Sequence, residues 1–515
     1  MVAGSEPAQA SFVIAITMPI STNTTIATCV QIQVGDIAGT HYRGHRRCNP
    51  VRSLRSRASA RLSCGEMAGR LLQSAGRLRT ALVALALGLC VLALLAPSGE
   101  ARRRRTQDAH ASSTAPLGGV NIVGVGALPL ALADREIARA RALHAKVIRT
   151  DVPWSALEPR EANHIEPRAL AFTDRLLSDA AAAGITVIMF VDSTPCWASS
   201  APAWLLRKCK PDAFSSANAW APTDPSTYAT FVAYLAQRYG TRLAAIEIWN
   251  EPDQINEDYF AGPNKAVRYA ALLRAAYPAI KQANPNVPVI AGSLVGSNGV
   301  FLRALYAAGI KGYYDGLAVH FYTLTLDALR SFRAVQLANG DTKPLWLDEF
   351  GWSSCWPRYR IQQEQACVTP HVQATNITNL YRSLARTPYI AADVLYQLQG
   401  SKAENFGVLN EHGTRKPAFA ALARVLASPF GSPSPVTLSL RRRGNHVVAS
   451  GSGPVGDYMQ LEAFQGRMLR FKATFTLNRF NRYAIALPAV LGTSGLRVRV
   501  YQEWMGPGRA AQRSI

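Results

Sequence analysis

Ile246-Glu247-Ile248-Trp249-Asn250-Glu251-Pro252-Asp253 is the stretch on which the reading of this chain turns. An apolar, strand-like run stops abruptly in Asn-Glu-Pro. A second run, Pro344-Leu345-Trp346-Leu347-Asp348-Glu349-Phe350-Gly351-Trp352, stops the same way 98 residues on. Working outward from these two, short Val/Ile/Leu or aromatic runs predict strands at 121–125, 147–150, 186–191, 244–249, 289–292, 316–320, 345–348 and 392–397. None alternates with period two, which is the pattern of parallel strands buried on both faces. Ala-rich stretches at 133–146, 167–183, 226–239, 265–283 and 299–308 predict helices between them, with stops at Gly184, Gly240 and Gly309. Eight strand–helix units in this span predict an α/β fold, a (β/α)8 TIM barrel over 118–430. A doubly wound sheet is the weaker alternative, because Gly124-x-Gly126 has no third Gly after it.

After Pro433-Ser434-Pro435 the pattern changes. Alternating runs at 436–440, 447–450, 458–464, 468–475, 482–486 and 496–502, separated by Gly, Asn and Arg turns, predict a small C-terminal antiparallel β-sandwich over 431–515. The N-terminal region reads as targeting sequence. Ala81 to Ala96 is a 16-residue apolar run preceded by Arg70, Arg77 and Arg79 and followed by Gly99-Glu100-Ala101. These are the parts of an export signal, so 67–105 is expected to be a signal peptide or, if uncleaved, a signal anchor in a membrane. The Arg-rich, Lys-free stretch 1–66 then reads as an upstream extension ahead of a start at Met67, and 106–117 as a linker.

The net charge of +23 is unevenly placed: residues 1–105 carry a surplus of ten and residues 432–515 a surplus of nine. The central region is near balance, and no zinc-knuckle spacing or basic-aromatic repeat accompanies the charge, which argues against nucleic-acid binding. The C-terminal domain, with Arg441-Arg442-Arg443, could attach to an anionic cell-wall polymer or serve as a structural lid. Outside the N-terminal region four cysteines form two close pairs, Cys196/Cys209 and Cys355/Cys367. Two loop-stapling disulfides in a secreted or cell-surface protein are expected, rather than a zinc site, whose pairs are spaced more tightly. No metal or cofactor motif is present, so none is expected.

The C-terminal ends of barrel strands build the active site. Those ends deliver Arg149, Asp151 and Trp154; Asp192, Thr194 and Trp197; Asn250 and Glu251; His320 and Tyr322; Glu349 and Trp352; and Tyr396, Gln397 and Gln399. Two carboxylates on facing strands are the equipment of glycosidic bond cleavage. Each acid alone has a plainer reading, Glu251 as a helix-start acid and Glu349 as a strand-end cap; their coincidence on strands four and seven favours catalysis. Because strand side chains alternate, only one of Asp348 and Glu349 is expected to face the axis. Loop residues Trp154, Trp197, Trp352 and Trp356 are read as sugar-stacking rings, and Trp249 and Trp346, inside strands, as core.

The Trp249-Asn250-Glu251-Pro252 and Glu349-Phe350-Gly351-Trp352 segments resemble those of clan A retaining glycoside hydrolases, a barrel superfamily that includes cellulases and β-xylosidases. The resemblance covers roughly 118–428. It implies Glu251 as general acid/base, Glu349 as nucleophile, Asn250 on the sugar 2-hydroxyl, Arg149 in support of the nucleophile, and His320 and Tyr322 orienting nucleophile and sugar. Gln397 falls among the substrate-binding residues. Many members carry Trp at the end of strand eight; here the segment is Leu395-Tyr396-Gln397-Leu398-Gln399, so the sugar is not read from the relatives. The implied activity is hydrolysis of β-linked glycosides or polysaccharide by double displacement. It requires an ionised Glu349 held low by Arg149, a protonated Glu251 with a raised pKa, and carboxyls about 5 to 5.5 Å apart. A non-catalytic carbohydrate-binding barrel and a transglycosidase are the competing readings.

Overall fold

Strand-forming runs without polar alternation need cover on both sides, and here helices supply it from outside. The computed structural model describes residues 115–515 except 125–129, 212, 256–258, 297, 323–326, 356–366, 402–403, 455–457 and 504–506. The expected extension, export signal, most of the linker and Trp356 lie outside the described residues. Among the described residues no helix is long and apolar enough to cross a membrane.

Eight parallel strands close into a barrel in chain order: β1 (Leu117–Asn121), β2 (Val147–Asp151), β3 (Thr186–Val191), β4 (Leu243–Ile248), β5 (Val289–Leu294), β6 (Gly316–Phe321), β7 (Leu345–Phe350) and β8 (Ile390–Leu395). Pairing of Val120 with Leu395 on one side and Ile148 on the other closes the ring. Around it run α1 (Leu130–Ala142), α2 (Trp154–Leu157), α3 (Pro167–Ala182), α4 (Ala203–Leu206), α5 (Pro225–Tyr239), α6 (Lys265–Ala283), α7 (Val300–Ala307), α8 (Asp327–Ala338), α9 (Pro370–Leu384) and α10 (Pro417–Ala427).

Local chemistry explains the boundaries. Asp224 caps α5 by accepting from the Ser226 N–H at 2.9 Å, and Thr369 caps α9 through Val372 N–H at 3.2 Å, each with Pro at the first turn. The expected stops Gly184, Gly240 and Gly309 all take positive φ at or just beyond helix ends. The first strand differs from expectation: it covers Leu117–Asn121 rather than 121–125. Gly118 and Gly119 gave no apolar signal, yet Gly119 is needed, because a Cβ there would meet the Val147 carbonyl oxygen at 1.9 Å.

The barrel interior is layered. Val147, Ile188, Ala245, Ile290, Ala318, Trp346 and Ala392 form one apolar cluster with members from seven strands. Two residues further along, on the same strand face, stand Arg149, Phe190, Glu247, His320 and Asp348. An apolar floor therefore lies beneath a charged upper layer.

Beyond α10 the chain forms two antiparallel sheets, in the orders β13-β10-β9 and β12-β11-β14-β15. The strands are β9 (Ser439–Arg443), β10 (His446–Ser452), β11 (Met459–Gln465), β12 (Met468–Phe475), β13 (Arg482–Ala486), β14 (Leu496–Gln502) and β15 (Ala511–Ser514). The last was not anticipated, and β9 starts three residues after the predicted 436. Val447, Ala449, Leu461, Ala463, Val498 and Val500 belong to the core between the sheets. The junction with the barrel runs along α9, where Asn376 accepts from Asn481 at 2.7 Å and Asn379 from the Ser434 N–H at 2.8 Å.

Candidate active site

Arg149 sits at the centre of the upper layer, fully buried, with its guanidinium 4.2 Å over the Phe190 ring. It donates to both Glu247 oxygens (2.7 and 2.8 Å), to Glu349 Oε1 (2.6 Å), to Asn250 Oδ1 (2.8 Å) and to Asn121 Oδ1 (3.2 Å). Burial opposes its charge, but Glu247, Asp348 and Glu349 more than offset this and hold it protonated. The Ser293 hydroxyl donates to Glu247, whose carboxyl stays below its ordinary value because Arg149 outweighs the burial penalty.

Glu349 reaches this cluster because β7 is irregular. Between Ala318/Trp346 and His320/Glu349, β6 advances two residues while β7 advances three. The same extra residue appears against β8, between Leu347/Asp393 and Phe350/Leu395. Such a bulge breaks the alternation of side chains. The expectation that only one of Asp348 and Glu349 faces the axis is therefore corrected: Asp348 Oδ2 lies 3.2 Å and Glu349 Oε1 2.6 Å from Arg149. Asp348 is fully buried, and burial together with the Glu247 charge pushes its carboxyl well above the carboxylate range. Tyr322 donates to Glu349 Oε2 at 2.6 Å, and burial beside that carboxylate keeps the phenol protonated.

Glu251 is re-aimed inward by the backbone. Trp249 and Glu251 take φ of 70° and 45°, a left-handed conformation that non-glycine residues adopt at a cost. Surrounding contacts hold it: Trp249 is buried and donates to the Tyr259 carbonyl at 2.6 Å, while the Tyr269 hydroxyl donates to the Ile248 carbonyl at 2.6 Å. The Glu251 carboxyl meets His320 Nδ1 at 2.6 Å and Gln254 Nε2 at 3.2 Å. His320 Nδ1 is also 3.3 Å from Glu349 Oε2, so this ring stands between the two acids. Burial alone would lower the His320 pKa, but Glu349 and the hydrogen bond to Glu251 raise it to about 9. Reciprocally, burial would raise Glu251, yet His320 holds its carboxyl below the ordinary value. A raised Glu251 was expected; the structure gives the reverse, because the residue is paired and not merely buried. One oxygen each of Glu251 and Glu349 lies within 4.8 Å of the other and of a His320 nitrogen. Glu247, His320 and Asp348 form a second such trio. By distance either trio could hold a cation, although Glu247 and Glu349 are already engaged by Arg149.

Arg149, Asn250, Glu251, His320, Tyr322 and Glu349 thus converge at one mouth. The tryptophans mostly do not. Trp154 is fully buried, donates to Glu158 Oε2 at 2.8 Å and stacks on Phe231, and Trp352 is 1% exposed in the same core. Neither offers a ring face to a sugar, which corrects both assignments. Trp197 is half-buried, edge-on to Trp154, and remains at the rim. Gln397 is nearly buried just past β8, where its carbonyl accepts from Val408 N–H. Tyr396 is half-buried against Tyr322 and Phe406 and donates to Glu404 at 2.9 Å. Glu247, Asn121, Ser293 and Gln254 were missed. Glu247 alone carried a signal, a lone charge inside an apolar strand. At the rim, burial raises the Asp192 carboxyl to about 7, although Ser193 donates to it. Both expected disulfides are present, Cys196–Cys209 and Cys355–Cys367.

Compared with protein-family models and with curated proteins, the sequence matches none. Similar solved structures include a family 39 glycoside hydrolase from the gut symbiont Bacteroides cellulosilyticus WH2, at 19% identity and TM-score 0.47, covering 72% of this chain and 81% of that one. A family 39 β-xylosidase from Caulobacter crescentus aligns at 16% identity and TM-score 0.46, covering 74% and 96%. A family 39 enzyme from Xanthomonas axonopodis pv. citri aligns at 15% identity and TM-score 0.45, covering 79% and 96%.

Proposed function

We propose that this chain is a secreted glycoside hydrolase that cleaves β-linked glycosides or polysaccharide with retention of configuration. The observation that carries the reading is the close approach of Glu251 and Glu349, within 4.8 Å, with Glu349 gripped by Arg149 and Tyr322. The approach of one oxygen of each acid to within 4.8 Å favours the short separation of a retaining pair over the wider gap of an inverting one.

In the first step a Glu349 oxygen attacks the anomeric carbon as the bond to the leaving oxygen breaks. Arg149 on Oε1 and Tyr322 on Oε2 hold the Glu349 carboxylate in one orientation for the attack. The leaving oxygen takes its proton from Glu251. In the resting site that proton sits on His320 Nδ1, 2.6 Å from the Glu251 carboxylate, so the two residues together form the acid. Loss of the Glu349 charge on forming the glycosyl ester removes one of the anions that hold His320 protonated. In the second step Glu251 takes a proton from water, the hydroxide oxygen bonds to the anomeric carbon, and the ester bond breaks to restore the Glu349 carboxylate. Asn250, held by Arg149, presents its amide to the sugar, and Trp197 lines the rim. The two disulfides fit an oxidising compartment.

The test is turnover of an activated aryl glycoside by wild type, Glu349→Gln and Glu251→Ala, with the first-formed anomer read by NMR. Glu349→Gln should lose more than about 10³-fold. Glu251→Ala should lose about 10²- to 10⁴-fold on poor leaving groups and far less on good ones. An inverted product, or activity unchanged in both variants, would sink the proposal.

A further inference from the structure

The three-stranded sheet β13-β10-β9 turns one face inward and one to solvent. Val447 and Ala449 of β10 are buried, and their register partners include Leu440 and Ile485, which pack against the same core. Alternation places the intervening residues on the other side. That outer face carries Arg441 and Arg443 from β9, His446 from β10 and Arg482 from β13, all exposed. Between the arginines the floor is made of Val448 and the small side chains of Ser439, Ser450, Ser452, Ala484 and Ala486. Segments 436–454 and 477–490, which contain the whole sheet, hold no Asp or Glu. Among the described residues no carboxylate pairs with Arg441, Arg443 or Arg482.

The second sheet behaves differently. There Arg499 is neutralised by Glu462, with Lys472 4.0 Å away, and Arg497 and Arg499 cover the Phe464 ring. Arg467, Arg470 and Arg513 also have no carboxylate partner among the described residues, but the first sheet differs in holding no acid of its own to set against its arginines.

We propose that this face binds an acidic polysaccharide, and that it holds such a polymer beside the barrel. The proposal rests on the glycosidase reading for its choice of a glycan. Arg441 and Arg443 stand about 7 Å apart along one edge strand, and β13 lies about 10 Å across the sheet. Arg441 and Arg443 stand opposite Val448 and His446 at one end of β10, and Arg482 stands opposite Ser452 at its other end on the far edge strand, so guanidinium groups mark both ends of a shallow floor on which an extended chain can lie. Guanidinium groups grip carboxylates with paired hydrogen bonds. The outer face bears no Phe, Tyr or Trp ring on which a base could stack, and it presents a flat surface in place of a helix that could enter a groove, so it is poorly equipped to hold nucleic acid.

The experiment uses the full chain carrying Glu349→Gln, so that binding is read without turnover. Retardation on polygalacturonate is compared with a neutral β-glucan, a short DNA duplex and phosphatidylglycerol vesicles, over a salt series. Polygalacturonate should be retained at low salt and released as salt rises, with the β-glucan unretained by this face. The triple variant Arg441→Ala/Arg443→Ala/Arg482→Ala should weaken retention about tenfold or more and flatten the salt slope, because each lost contact releases fewer counterions. All three side chains are exposed, so its thermal midpoint should be unchanged. The matching triple Lys variant should restore part of the binding, since the charge returns without the fork. Polygalacturonate passing unretained, a triple Ala variant that binds as wild type, or equal or tighter binding of DNA or vesicles would overturn the proposal. A chain that binds polygalacturonate while its wild-type form cleaves no glycoside would overturn the enzyme reading and leave the binding face standing.

Discussion

His320 decides the proton inventory of the site. Facing its ring are the carboxyls of Glu251, Glu349 and Asp348. Its folded pKa of about 9 lies above the ordinary 6.5. A raised pKa means that the folded state binds the proton more tightly than the unfolded chain. The resulting stability is complete below about 6.5 and lost as pH rises through about 9, a difference of up to about 3 kcal/mol. Urea unfolding of wild type and His320→Gln should therefore show a stability gap that is wide at mildly acidic pH and narrows across that window. A gap that stays constant to alkaline pH would mean that His320 is neutral and only packed. The imidazole was legible from the sequence as a strand-end group, but its position between two acids was not, since that depends on distances across the barrel. The same limit applies to Glu251. Its location at a strand end was readable; its lowered pKa follows from a partner 69 positions away. Trp154 and Trp352 were misread for a related reason: a loop position says nothing of which way the ring folds back.

At the scale of elements, two backbone devices place the chemistry. One is the bulge in β7, which brings Glu349 into a layer that strict alternation reserves for Asp348. The other is the close seam between β1 and β2. Gly119 abuts the Val147 carbonyl, so any side chain there must push two paired strands apart. Gly119→Ala should cost more than about 3 kcal/mol or prevent folding, since backbone displacement in a closed ring has no cheap outlet. Gly508→Ala, where nothing lies within 4 Å, is the control and should be near neutral. Equal thermal midpoints for the two variants would show that the seam is pliable. The seam also explains the misplaced first strand. Strand prediction follows bulky apolar residues, whereas here the pairing requires their absence at 118 and 119. Strands β3, β12, β13 and β14, with their unbroken apolar or alternating runs, were read at their true limits.

At the scale of the molecule, all described residues belong to one compact unit, and α9 is the element that barrel and sandwich share. Its inner side packs on the barrel through Ile377, Leu380 and Leu384. Its outer side carries Arg382, and Arg386 follows in the turn; both donate to the connecting chain. Arg382 reaches the Ser432 carbonyl at 2.7 Å, and Arg386 reaches the carbonyls of Gly431 (3.0 Å) and Phe430. Arg386 feels the like charges of Arg509 and Arg382, and burial together with these charges lowers its pKa. The carbonyls of 430–432 supply the partial negative charge that makes the cluster tolerable, so polar contacts help hold the connector beside the buried Pro433. Removing the cluster should loosen the connector and leave the barrel intact. In Arg382→Ala/Arg386→Ala, chymotrypsin should cut after the half-exposed Phe430 several-fold faster than in wild type, releasing a barrel fragment. High salt should accelerate the same cut in wild type, because partly exposed ionic contacts are screened. If both chains are cut at equal rates and salt has no effect, the sandwich is held chiefly by the neutral contacts Asn376–Asn481 and Asn379–Ser434, and Asn376→Ala would then be the variant that releases it.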